Sequence, residues 1–414
     1  MKQLARIILI SIQLLLLVAC GGSDNSPSAV TLPVTPAARY PAESQFTPVP
    51  TSTTMVRPDY LNFSTDPEFN TKVVRITDKD VFEAHGDLQG YVNYHPTHSY
   101  PKTQSWNSDG SYIRIQHTLV DGNTYEIIKN IGGSIYERKW SRLNPKILYG
   151  IDHDADNFNF VRQNVDTLQV DILISFSRAD YDEVLVGPWE GTITFDDRLV
   201  ALTAWKDHNL TIIIYNIPDN QIISQRIFPG LWHQDNLDWV SISPLGNYVL
   251  MNWETDPDNP ASDNRSAIDQ YDLNLNYLGE LANQGQHGDM GLDGNNQEVY
   301  VQFEFGGEQR GLWSYRLSDG HRTRLLPDKY NGGHVSCKNY RRPGWCYLST
   351  KQEGYREVFA LKLDGSGVVN RFAQTHESDS VSSYGAPNPE GTKVLFKSDW
   401  AGTVELDSFA VELD

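Results

Sequence analysis

The sequence predicts an all-β protein, a seven-bladed β-propeller, and three observations carry that prediction. One pattern recurs seven times: a short strand, a turn rich in Asp, Asn, Gly or Pro, then a strand of β-branched and aromatic residues. The turns follow one another at steps of 34 to 53 residues, most of them close to the ~40–50 residues of a four-stranded blade. No stretch shows the apolar period of a long helix. A pair of β-sandwiches is the alternative use of so many strands.

The seven units are SWNSDGSYIRI (105–115), WSRLNPKILYGI (140–151), GTITFDDRLVALTAW (191–205), WVSISPLGNYVLMNW (239–253), MGLDGNNQEVYVQF (290–303), HVSCKNYRRPGWCYLS (334–349) and GAPNPEGTKVLFKSDW (385–400). Further strands between them, such as 210–216 with 221–228 and 311–317 with 321–326, supply the outer half of each blade. One strand, TKVVRIT (71–77), has no hairpin partner, and the last unit continues into 407–413. Together these complete one blade, so the ring closes and leaves no free edge.

The propeller occupies residues 56–414. Before it, residues 1–20 read as a lipoprotein signal peptide, with Lys2 and Arg6 ahead of an apolar run and Leu17-Val18-Ala19-Cys20 in the place of a lipobox. Cys20 is then the lipidated residue, and no aspartate follows it, which predicts export to the outer membrane, on the cell surface or the periplasmic side. Residues 21–55, rich in Ser, Pro, Thr and Ala, read as a flexible tether. The lipid is the only membrane attachment expected, since no other stretch is long enough to span a bilayer. The net charge of −19 argues against nucleic acid as a partner. The 10 Trp and 21 Tyr suit β-structure and carbohydrate-binding surfaces. The domain is expected to act as a monomer.

In each unit the loop before the first strand and the loop after the second face the same side of the disc. His98 precedes the first hairpin and His117 follows it, with His95 in the same histidine-rich loop. His153 and His208 follow the second and third hairpins, His233, His287 and His334 precede the next three. Seven of the eleven histidines therefore fall on one face, around the mouth of the central channel. Imidazoles suit proton transfer or metal binding, and propellers place ligand sites where loops of several blades converge. Tyr181, Trp189, Glu190, Trp253, Glu254 and Tyr384 fall on the same rim, the aromatic ones suited to stacking on sugar rings. Arg198 lies in the third hairpin's turn, on the opposite side by the same register.

Cys337 and Cys346 stand opposite each other across the sixth hairpin. They read either as a cross-strand disulfide or, with His287 and His334, as a four-ligand zinc site. The Asp-rich loops at Asp152–Asp156 and Asp256–Asp263 offer carboxylates to calcium. There is no Gly-rich phosphate loop, no G-x-S-x-G elbow and no HExxH helix.

The stretches HPTHSYPKTQSWNSDGSYIRIQH, EGTITFDDR, GGHVSCKNYRRPGWCYLS and GTKVLFKSDW resemble the β-propeller polysaccharide lyases, chiefly the ulvan lyases and more distantly the oligogalacturonate lyases. The resemblance spans about residues 60–414. It implies cleavage of a uronic-acid-containing, sulfated polysaccharide by β-elimination, which leaves a double bond between C4 and C5 of the uronate. That chemistry needs the carboxylate neutralised, a base for the C5 proton and an acid for the leaving oxygen. Carried over, the resemblance makes His98 and His117 the histidine pair, Tyr181 the acid/base partner and Arg198 the neutralising cation, with Arg178 as its rival. His95, His153, His208, Arg178 and Trp189 become substrate contacts, and the cysteine hairpin with its histidines a structural zinc site. The anionic substrate must meet an acidic protein. At ~0.15 M salt the Debye length is about 8 Å, so local cations such as Lys102, Lys206 and Arg310 can outweigh net charge.

Two other classes compete. A propeller glycoside hydrolase would use facing carboxylates, with Glu190 and Glu254 as the pair. A non-catalytic propeller would bind glycan or scaffold an envelope complex.

Overall fold

The computed structural model describes residues 46–413, apart from 53, 87–94, 232–235, 255–266, 284–286, 306–309, 328–332, 353 and 403–404. Cys20, His233 and the Asp256–Asp263 loop lie outside the described residues. Seven antiparallel sheets form a seven-bladed β-propeller, five of them with four strands. The predicted hairpins are the two inner strands of each blade. In the fourth, Leu237–Ile242 pairs with Val249–Trp253, and in the sixth, Gly333–Ser336 pairs with Trp345–Thr350. In the first blade the innermost chain is a single bridge, Trp106 to Ile113, beside three regular strands.

Burial patterns show why these residues form blades. The third blade's middle strands, Leu199–Lys206 and Asn209–Asn216, are buried on both faces and carry continuous Leu, Val, Ile and Thr. Its outer strand, Gln221–Pro229, alternates exposed and half-buried positions because one face meets water. Seven apolar clusters fill the protein, and each is shared by two neighbouring blades. Leu199 and Trp205 of the third blade join Val240 and Trp253 of the fourth, for example. Leu119 of the first blade joins Trp140 and Leu148 of the second. Each blade therefore buries its faces only by leaning on both neighbours.

Ring closure follows the sequence expectation. Lys72–Arg75 pairs with Asp407–Glu412 in the last blade, with Val74 opposite Ala410. A further edge strand, Phe63–Thr65, caps it. Val74, Ala386, Leu395 and Ala410 of that blade share a cluster with Trp106, Ile113 and Val120 of the first. The chain before the ring is also engaged from residue 46. Phe46 is buried against Phe359 at 4.4 Å between ring centroids, and Met55 is buried between the last two blades.

Candidate active site

One irregular segment, 95–104, crosses the mouth of the channel. Pro96 and Pro101 keep it out of strand pairing, and its polar groups reach the surrounding blades instead. Gln116 Nε2 donates to the Thr97 carbonyl (3.2 Å), Ser336 Oγ to the Pro101 carbonyl (2.7 Å) and Gln104 Nε2 to the Lys338 carbonyl (2.9 Å). Lys102 forms an ion pair with Glu190 and lies 4.0 Å from the centre of the Trp239 ring. These anchors leave Tyr100 held against blades five to seven.

Four rings meet there. The Tyr100 hydroxyl and His287 Nδ1 are 2.8 Å apart. Tyr100 packs edge-on against His334 (5.3 Å) and Tyr384 (5.2 Å), and His334 lies 4.5 Å from His287 and 4.6 Å from Tyr384. Lys397 Nζ sits 3.6 Å from the centre of the Tyr384 ring. Burial holds the Tyr100 phenol protonated well above its usual range, with Glu190 adding to the effect. Desolvation by the crowded rings also lowers His287 below the ordinary imidazole value, although part of the residue is exposed. The phenol, the stronger donor, therefore donates to Nδ1. His334 is held down to about 2, first by burial, then by the neighbouring His287 and by the positive charges of Lys397, Lys351 and Lys102. Its Nδ1 is buried without a hydrogen-bond partner. Burial brings Lys397 down to about 8, against an opposing pull from Glu377. Here a neutral imidazole, a protonated phenol and a cation share one small volume, which is an acid, a base and a charge neutraliser.

Cations are concentrated at this mouth despite the acidic chain. Lys102, Arg114, Arg138, Lys139 and Lys338 are all buried. Lys338 pairs with Asp289 at 2.6 Å, and Lys139 Nζ donates to the Trp189 carbonyl at 2.7 Å. Of the cations expected to offset net charge, Lys102 is here. Lys206 sits at the end of the strand Leu199–Lys206, paired with Asp182 at 2.9 Å.

The residues singled out from sequence fall into three groups. His98 lies under the four-ring cluster. Its backbone N–H donates to Ser408 Oγ (2.9 Å), the Ser408 hydroxyl faces Nδ1 (2.8 Å), and Nε2 donates to the Tyr384 carbonyl (2.7 Å). Both ring nitrogens are engaged, and burial holds its pKa down to about 3. Its geometry positions Tyr384. His117 sits in the turn between two strands of the first blade, where Arg138 Nη1 donates to its Nδ1 at 2.9 Å. Burial, then Arg138 and Arg114, hold it neutral down to about 4. Trp189 is 57% exposed at the mouth, with its backbone tied to Glu137 and Lys139.

A second group is peripheral. Tyr181 packs edge-on against Phe176 in the loop leaving the second blade. His153 stacks on Tyr136 (4.6 Å), and Arg178 lies over Phe158 (4.2 Å) while Nε donates to the Asp154 carbonyl. His208 is exposed in a turn at positive φ. His95 is half-buried at the start of the crossing segment. Arg198 sits in the turn of the third hairpin, paired with Asp196 at 3.3 Å, on the face opposite the mouth as its register required. Glu190 is committed to Lys102, and Glu254 is exposed at the end of its strand.

The third group is a correction. Cys337 and Cys346 form a disulfide, with Cα atoms 4.4 Å apart. Both thiolates are thereby removed from the expected zinc site with His287 and His334. Among the described residues no three His, Cys, Asp or Glu side chains converge to hold a metal ion. The calcium reading of the Asp152–Asp156 loop meets the same finding. Asp154 spends its carboxylate on the backbone N–H groups of Asp156 and Asn157 and on Asn159. Replacing both cysteines by Ala is expected to cost about 2–4 kcal/mol in chemical denaturation, while a chelator leaves the midpoint unchanged. A chelator-dependent midpoint would count against the disulfide as the stabilising element.

Sequence reasoning missed Tyr100, Lys397 and Lys351. Tyr100 stands two residues from His98, inside the stretch already singled out, but a loop with no strand period gives no direction for its side chains.

No protein-family model matches the chain, and no curated protein matches it. Among solved structures it is similar to an oligogalacturonate lyase in complex with manganese. That match has 14% identity, covers 85% of this chain and 96% of the other, and has a TM-score of 0.58. It is similar as well to an oligogalacturonate lyase from Vibrio parahaemolyticus, at 11% identity with the same coverage and TM-score. The manganese belongs to that protein; among the described residues of this chain no three His, Cys, Asp or Glu side chains converge to hold a metal ion. At such identities the likeness is one of fold: the chain shares the propeller of the oligogalacturonate lyases.

Proposed function

We propose that the protein is a polysaccharide lyase that cleaves a uronate-containing glycan by β-elimination at the channel mouth. The observation that carries the reading is the cluster of Tyr100, His287, His334 and Tyr384 beside Lys397. A uronate carboxylate placed on Lys397 and Lys351 loses its charge, which acidifies the C5 proton. His334 accepts that proton. Its basicity in the free protein is suppressed largely by burial and by neighbouring cations, and an arriving carboxylate offsets those cations and raises it toward the useful range. The Tyr100 phenol, oriented by His287 Nδ1, gives its proton to the leaving O4, and the resulting phenolate takes one back from solvent as His334 releases the proton it took from C5. His117 with Arg138, and the exposed Trp189 ring, hold further sugar units across the mouth.

The preferred substrate in this reading is a sulfated, ulvan-like polymer, its further negative groups meeting Arg138 and Arg114 beside His117. Ulvan, pectate and alginate separate the possibilities: rising ultraviolet absorbance on ulvan alone supports it, and absorbance on pectate alone replaces it. The pH profile tests the acid–base roles. Lys397 must be charged to bind carboxylate, and it loses its proton as pH rises through about 8. The value of kcat/KM is expected to fall tenfold per pH unit above that point and to stay flat on the acid side. An acid limb near 6.5, the ordinary histidine value, would count against His334 as the base.

The same proposal places the chain on the outer membrane through lipid on Cys20, as a monomer. A Cys20→Ser variant that leaves the membrane fraction would support the anchor, and one that stays would remove it.

A further inference from the structure

The turn Gly187-Pro188-Trp189-Glu190-Gly191 stands at the mouth beside the crossing segment, and its backbone is fixed at every step. Pro188 sets its own φ. Gly187 holds left-handed backbone with φ of 54°, and a Cβ there would fall 2.0 Å from the Val240 carbonyl oxygen. Gly191 N–H donates back to the Gly187 carbonyl at 2.6 Å. Glu190 is spent on Lys102. The Trp189 carbonyl accepts from Lys139 Nζ (2.7 Å) and Thr103 Oγ1 (3.4 Å), and its N–H donates to the Glu137 carboxyl. These bonds all use the Trp189 backbone and leave its indole ring 57% exposed. Trp189 itself holds φ of 60°, a conformation that bulky side chains avoid. The turn is also close to the chemistry. Thr103 N–H donates to the Tyr100 carbonyl at 2.8 Å, so one residue ties Tyr100 and Trp189 together.

The carboxyl behind the turn is placed by a second irregularity. Strand Ile135–Trp140 of the second blade shifts register between Tyr136 and Lys139. Glu137, inside that bulge, also holds left-handed backbone, with φ of 50°. Bulges re-aim side chains, and they are common next to active sites. This one directs two successive residues to the mouth. The Glu137 carboxyl accepts from the N–H groups of both Val186 and Trp189, and Arg138 Nη1 donates to His117 Nδ1. Two non-glycine residues in a strained conformation, bonded to each other, mark a geometry that serves function at a cost in stability.

We propose that the Trp189 ring is a stacking platform for the sugar unit next to the cleaved uronate, and that Glu137 is the positioning residue that fixes it there. This subsite rests on the lyase reading for the chemistry at Tyr100, but its occupancy is measured without cleavage. A rigid aromatic ring open to water fits the C–H face of a pyranose, and the contact desolvates apolar surface on both partners. The charges at the turn are already engaged, Glu190 with Lys102 and Lys139 with the Trp189 carbonyl. The platform therefore selects the shape of a sugar ring and not its charge. Because the ring is held before the glycan arrives, little ordering cost remains on binding. The contact is the same in the ground and transition states, so it acts on KM and leaves kcat alone.

Affinity electrophoresis of the full-length protein through gels holding ulvan, pectate or alginate tests this, in a Tyr100→Phe background that leaves the polymer whole. At least one polymer is expected to retard the Tyr100→Phe protein. Adding Trp189→Gly is expected to weaken that binding about tenfold or more, the scale of a truncated aromatic anchor, and Trp189→Phe to fall in between. The melting temperature of Trp189→Gly is expected to stay level, because glycine takes φ of 60° without strain. Glu137→Gln keeps the size but turns one acceptor into a donor that faces an N–H, and it is expected to weaken binding severalfold. With Tyr100 restored, both variants are expected to raise KM and to hold kcat within about twofold. No retardation by any of the three polymers, retardation that persists in Trp189→Gly, or a melting temperature that falls with it overturns the proposal. So does a loss of kcat at unchanged KM. Retardation that depends on Trp189, in a protein that cleaves none of the polymers, would keep the platform and remove the lyase reading.

Discussion

Tyr100→Phe is expected to lower kcat on a uronate polysaccharide by at least about a hundredfold, the lower bound of what a positioned acid or base contributes, with little change in KM. The substitution removes one oxygen. The ring still packs edge-on against His334 and Tyr384, and the anchors of the crossing segment, Lys102 to Glu190 and Gln104 to Lys338, are untouched. What disappears is the proton donor and its 2.8 Å link to His287. His287→Phe should reproduce most of the loss, and the double variant should cost little more than either single one, because the pair acts as a unit. Additive losses would mean that the two side chains serve different steps. A loss in Tyr100→Phe below tenfold, measured at saturating substrate, would remove Tyr100 from the chemistry.

The second large effect is on stability. Val74→Asp is expected to destabilise the protein by on the order of 4 kcal/mol, a large share of the ~5–15 kcal/mol that holds a typical domain together. Val74 is fully buried in the strand that closes the ring. Its cluster joins the last blade to Trp106 and Ile113 of the first. An unpaired carboxylate there opens the contact between the last blade and the first. Ile172→Asp is the control: that side chain is 60% exposed on the outer strand of the second blade, and its change should stay within about 0.5 kcal/mol. Urea midpoints for the two variants compare them directly. Equal losses would mean that closure by the 72–75 strand has no special weight.

The fold was legible because a propeller repeats its signal. Each blade carries a turn between two apolar strands, and the sum of seven such patterns outweighs any one ambiguous strand. Even the closing strand could be found, since TKVVRIT had no partner nearby and 407–413 had a free edge. The site was legible only as a face. Strand parity and hairpin register put His117, Trp189, His287, His334 and Tyr384 on the mouth side, and put Arg198 on the other. Register says nothing about whether a ring nitrogen is already taken. His98 and His334 look alike in the sequence, yet His98 is bonded at both nitrogens while His334 Nδ1 has no partner. The cysteine pair shows the same limit. Opposed positions suit a disulfide and a metal equally, and only the closure of Cys337 onto Cys346 separates them. Lys397 was hidden in a strand that reads as ordinary blade, because its role depends on the Tyr384 ring arriving from the loop before the same blade.

Product mass is the measurement that bears most directly on the central claim. Purified protein would be incubated with ulvan, pectate and alginate, and the oligosaccharides would be weighed and scanned in the ultraviolet. β-Elimination at the mouth predicts a product one water lighter than the hydrolysis fragment, absorbing through its C4–C5 double bond and lost in Tyr100→Phe. Fragments carrying the added water and no absorbance would contradict the account and favour paired carboxylates, and intact polymer on all three substrates would favour a propeller that binds glycan without cutting it.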